Sequence, residues 1–168
     1  MTSRVARSVF AIGLLATTAA SAGEFKAQAS VPYAEDSIIA GKIKSECTID
    51  AQLPVALKRF AAEGGNQVTL VPSLDTSSGQ VLRMEIINAE SAGNAWIGHR
   101  KSVTVKGWLY KDGQQSAKFV ARRNSSGGMG AGFKGSCDVL ERSVNAIGKD
   151  VAAWLQNPVD GAQLGDLR

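Results

Sequence analysis

The alternation of apolar and polar positions is clearest in the middle of the chain. Val81 to Ile87 sets Leu82, Met84 and Ile86 against Arg83 and Glu85, the two-residue period of a half-buried strand. Ser102 to Tyr110 and Gln115 to Arg123 are strand-like runs on either side of Lys111-Asp112-Gly113-Gln114. Asp-Gly between two such runs is a strong hairpin signal. With Asp112 and Gly113 as the turn, Val105 faces Val120, Lys106 faces Phe119, Trp108 faces Ala117 and Ser102 faces Arg123. Val103, Val105, Leu109 and Val120 then share one face, and Trp108, Tyr110 and Phe119 the other. Leu140, Val144, Ile147, Val151, Trp154 and Leu155 form a helical stripe. Ser136 is its expected cap, Asp138 sits in its first turn, and Asn157-Pro158 stops it.

Elsewhere the pattern is thinner. Gly23 to Glu35 is polar and reads as an extended arm. Ser37 to Ile43 is a strand candidate weakened by Gly41. Asp50 can cap a helix carrying Leu53, Leu57, Phe60 and Ala61, with Pro54 tolerated in the first turn and Gly64-Gly65 as the end. Gln67 to Leu74 reads as a strand that Pro72 pushes toward an edge, Asp75 to Gly79 as a turn, and Ala89 to Gly98 as a loop around Trp96. Val159 to Arg168 has few apolar anchors and is expected to be loose. The order predicts an α+β fold: a single, mostly antiparallel sheet of about four to five strands with two helices packed on it. The expected organisation is a signal segment over 1–22, an arm over 23–36, an α+β domain over 37–158 and a tail over 159–168.

The N-terminus changes the picture more than composition does. Arg4 and Arg7 precede a short apolar core, Val9 to Ala16, and Ala20-Ser21-Ala22 fits a small-x-small cleavage site. The apolar run is too short to span a bilayer, so the expectation is an exported protein, periplasmic or secreted, with no transmembrane span after cleavage. No Cys follows the apolar core to accept a lipid. Loss of Arg4 and Arg7 lowers the formal net charge from +4 to +2, which argues against nucleic acid as a partner. Cys47 and Cys137 are the only cysteines. In an oxidising compartment they are expected to form one disulfide, and closing a loop of about 90 residues is worth roughly 4–5 kcal/mol on the chain-entropy model.

Catalytic chemistry finds little purchase. Gly130 to Gly135 matches G-x-G-x-x-G, but the strand before it belongs to a hairpin and no strand follows the next helix, so a dinucleotide fold is not indicated. The phosphate-loop spacing is absent as well. His99 is the sole histidine, which leaves no typical zinc set and no nucleophile elbow to pair it with. Asp75, Glu85, Glu90 and Asp112 are scattered singly. No cofactor, metal or catalytic residue is therefore assigned, although a small secreted hydrolase stays open because carboxylate pairs can assemble from distant positions.

A binding surface is the better candidate. His99, Arg100 and Lys101 would lie at the same end of the hairpin as Arg122 and Arg123, with Trp96 as an aromatic anchor and Lys134 in the Gly-rich stretch Asn124 to Gly135. Such a surface suits another envelope protein, or an anionic ligand such as lipopolysaccharide or a phosphorylated metabolite. The blocks NAWIGHRKSVTVKGWLY and RRNSSGGMGAGFKGSCDVLERSVNAIGKDVAAWL resemble a family of small uncharacterised exported proteins of Gram-negative bacteria. The resemblance implies an envelope compartment and carries no activity. In fold order the chain is also similar to the α/β domains of envelope lipoproteins in curli secretion and peptidoglycan-synthase activation, which implies action by protein contacts. The absent lipid-anchor Cys departs from that pattern, and fold order alone is a weak guide to function.

Overall fold

The computed structural model describes residues 23–94, 98–126 and 135–167. In chain order the elements are β1 (Glu24–Gln28), α1 (Gly41–Glu46), α2 (Ile49–Glu63), β2 (Gln67–Val71), β3 (Gln80–Asn94), β4 (Gly98–Lys111), β5 (Gln114–Ser126), α3 (Ser136–Trp154) and β6 (Ala162–Gly165). They form one α+β unit around a six-stranded sheet of order β2-β1-β3-β4-β5-β6. The β3–β4 and β4–β5 pairs are antiparallel, and β1 and β6 join the flanks in parallel. The sheet is thus larger than expected. Its extra strands come from the segments expected to be an arm and a loose tail.

Local sequence explains both additions. In β1 only Phe25 and Ala27 are buried, so the segment looks polar although it alternates. In β6 a single residue, Leu164, reaches the core. The tail is held instead by polar contacts: Trp154 Nε1 donates to the Val159 carbonyl at 3.0 Å and the Lys118 amide donates to Asp160 Oδ1 at 2.9 Å.

The strand expected over Ser37 to Ile43 is not formed; a third, short helix α1 takes its place. Within this helix Ile43 is the buried residue, while in the segment just before it Ile39 is buried and Ile38 is 95% exposed. A second correction concerns Pro54. The helix begins at Ile49, with Thr48 as its N-cap, which places Pro54 in the interior rather than the first turn. Proline cannot donate to the Asp50 carbonyl four residues back. That carbonyl accepts the Val31 amide at 3.0 Å instead, so the lost helical bond leaves no orphan.

Helices α2 and α3 pack on one face of the sheet. Leu53, Leu57 and Ala61 of α2 and Leu140, Val144, Ile147 and Val151 of α3 meet Leu82, Met84, Ile86, Val105 and Phe119 in one core. The hairpin turn is as expected, with φ 48° at Asp112 and 84° at Gly113. Its register is not. Ser116 forms a bulge, its hydroxyl donating to the Leu109 carbonyl at 3.2 Å. Beyond it Val105 faces Ala121, Lys106 faces Val120, Trp108 faces Lys118 and Val103 faces Arg123. Every β5 side chain past the bulge therefore changes face. Phe119 moves into the core, where its ring meets Trp154 edge-on with centroids 4.9 Å apart.

Candidate binding cleft at the hairpin end

The same bulge decides where the basic residues go. Arg123 lies on the helix face, and its guanidinium grips Asp150 of α3 through Nε and Nη2, each at 2.7 Å. Its Nη1 donates to Asp166 Oδ1 at 3.0 Å, while the Asn124 amide donates to Asp166 Oδ2 at 2.7 Å. The hydrogen bonds that Arg123 donates to Asp150 raise the Arg123 pKa. The backbone amide of Asn124, assisted by the Arg123 charge, holds the Asp166 carboxyl below the usual carboxylate range. Arg123 therefore ties β5, α3 and the C-terminal segment together.

The other candidates are dispersed. Lys101 is buried at 4% exposure. Burial lowers its pKa, and the negative charge of Asp138, in the first turn of α3, opposes that shift. Arg122 projects on the opposite face, half-buried, with Nε donating to Asn124 Oδ1 at 3.1 Å. His99 and Arg100 occupy β4 opposite Gly93 and Ala92. Trp96 and Lys134, with most of the Gly-rich stretch, lie outside the described residues. The structure thus brings Lys101, Arg122 and Arg123 to one end of the sheet without forming a single basic patch from them.

What that end does contain is a cleft of about 630 Å³. Its walls are α1 with the residues just before it, the end of β3 and the start of α3. Ile43, Ala89 and the disulfide form an apolar floor, and Ile38, Lys42, Glu46 and Glu90 stand at the rim. The predicted Cys47–Cys137 bond is present, with 5.1 Å between Cα atoms. It fastens the end of α1 to the first turn of α3, the two helical walls. Lys42 and Glu46 pair across one turn of α1 at 3.9 Å. An apolar floor with a few polar groups at the mouth suits recognition of an apolar side chain or small molecule. The disulfide is the one link between its walls that the sequence announces; no local signal brings 38–43 against 89–91.

Among the described residues no group of His, Cys, Asp and Glu is arranged to hold a metal ion. Burial, then the charge of Asp50, push the Tyr33 phenol up to about 12. No described helix is long and apolar enough to cross a membrane.

No protein-family model matches the chain, and no curated protein matches its sequence. Solved structures do match. A minor lipoprotein of Acinetobacter baumannii superposes with a TM-score of 0.52 over 83% of this chain and 97% of its own, at 12% identity. A Xanthomonas campestris protein of the DUF330 family superposes with a TM-score of 0.55 over 82% of this chain and 85% of its own, at 13% identity. The fold is shared with a minor lipoprotein. At such identities the likeness concerns backbone architecture alone.

Proposed function

We propose that the protein is an exported, non-enzymatic binding or assembly module of the bacterial envelope, periplasmic or secreted. On this reading it is cleaved after Ala22 and captures an apolar segment of another envelope protein. The cleft between α1, β3 and α3 carries the reading. It is large enough for one or two apolar side chains, its walls are held by a disulfide suited to an oxidising compartment, and Ile38 stands 95% exposed at its mouth. The fold likeness to a minor lipoprotein supports the compartment.

The test is site-specific photo-cross-linking in intact cells. A photoreactive residue at Ile38 should trap a discrete envelope protein, and one at Val55 on α2, also exposed, should not. Intact mass of the captured chain should place its first residue at Gly23. Identical products from both positions, or none from Ile38, would remove the cleft as the docking site.

A further inference from the structure

The sheet face turned away from α2 and α3 carries a second feature, independent of the cleft. Trp108 lies half-buried on this face near the C-terminal end of β4. Its cross-strand neighbours are both cations, Arg83 on β3 and Lys118 on β5. Lys106 lies two residues before it on the same face of β4. Arg83 is engaged, pairing with Glu85 and placing its guanidinium 5.5 Å from the indole centroid. Lys106 and Lys118 are exposed and form no ion pair among the described residues. Between Trp108 and the edge strand β6 lies a cavity of about 410 Å³ bordered by Lys106, Lys118, Val120 and Gln163. The residues that border it come from β4, β5 and the β6 segment, whereas Arg83 arises on β3.

We infer that this cavity is a binding site for an anionic saccharide. A pyranose ring presents a face of C–H bonds, partly positive, that packs on the electron-rich indole face. A carboxylate on the sugar would meet Lys106, which stands opposite Glu85 while that carboxylate pairs with Arg83, and Lys118, whose ammonium forms no ion pair among the described residues. The exposed Gln163 amide offers both a donor and an acceptor to hydroxyl groups. A neutral sugar would leave the lysines unused, and a bare inorganic anion would leave the indole unused. The concave cavity also fits a short stretch of glycan better than a planar lipid surface. The edge position of β6 leaves the cavity open at its end, so a longer chain can extend past it.

The test is titration of the mature protein with tetragalacturonate, followed by amide chemical shifts and calorimetry, against its methyl ester and against inorganic sulfate. Binding to tetragalacturonate should perturb β4, β5 and β6 and weaken as salt rises. The methyl ester and sulfate should each bind about tenfold more weakly or worse. Trp108→Ala should reduce affinity about tenfold or more. Lys106→Gln with Lys118→Gln should do the same while leaving the core residues untouched. Equal affinity for the ester, binding unchanged by the lysine pair, or capture of anionic phosphatidylglycerol vesicles without saccharide binding would each overturn the inference. Because neither variant touches α1 or the disulfide, cross-linking at Ile38 reports on the cleft separately.

Discussion

Single residues resolve several conflicts between local preference and the fold. Gly107 would weaken a central strand, yet the ring of Phe119 on the neighbouring strand lies where a Cβ would stand and restores the buried contact. Gln28 does similar work for the backbone: its side-chain amide donates to the Met84 carbonyl at 3.0 Å and accepts the Met84 amide at 2.9 Å, extending the β1–β3 seam where strand pairing has ended. Arg123 is the most consequential of these residues. Its ion pair with Asp150, whose side chain is 12% exposed, is sheltered, whereas Asp166 at 31% is open to screening. Arg123→Met should therefore destabilise by about 1–3 kcal/mol, mainly by stranding Asp150, and should release β6 to hydrogen exchange first. Asp166 adds a pH dependence. Its folded pKa is lowered, so its stabilisation is complete above the unfolded value and drains away as pH falls below about 4. In thermal melts the gap between the native protein and Asp166→Asn should narrow below that pH; a gap constant down to strongly acid pH would refute the linkage.

At the level of elements, helix–helix contact is set by small residues. Gly148 of α3 faces Ala56 and Leu57 of α2, and a Cβ there would lie 2.8 Å from the Ala56 Cβ and 2.9 Å from the Leu57 amide nitrogen. Two effects compete in Gly148→Ala. Helix propensity favours alanine by about 1 kcal/mol, while forcing a methyl against backbone typically costs about 1–3 kcal/mol. The backbone nitrogen cannot swing aside as a side chain could, so the variant should have a lower urea midpoint with an unchanged slope. A rise in the midpoint would mean that the helices separate freely. The stripe of α3, the alternation of β3 and the Asp-Gly turn were legible because each is a repeating local signal. The Ser116 bulge was not, since one extra residue in β5 leaves the composition of the strand unchanged and becomes visible only through its partner. Likewise β1 and β6 place so few side chains in the core that only their long-range parallel pairing distinguishes them from loop.

For the whole molecule, the same limit explains the candidate site. The basic residues near the hairpin end were visible as a cluster in sequence, but strand alternation puts Arg122 and Arg123 on opposite faces, the bulge turns Arg123 toward α3, and Lys101 is buried. The cleft that occupies this end could not be read, because 38–47, 89–91 and 135–137 meet only in the folded chain. The disulfide is the one long-range link the sequence did announce, and it has two consequences. It closes a separation of 90 residues, which on the chain-entropy model is worth roughly 4–5 kcal/mol to the whole fold. It also retains α1, a six-residue helix too short to be stable alone and held otherwise mainly by Ile39 and Ile43. Replacing Cys47 and Cys137 together by Ala should therefore lower global stability by up to that amount. It should also loosen α1 before the sheet and α3, and abolish cross-linking from Ile38 even under conditions where the fold survives. Hydrogen exchange resolved by segment separates the two effects. If α1 keeps native protection in the folded double variant, the disulfide serves stability alone and the cleft is held open by packing.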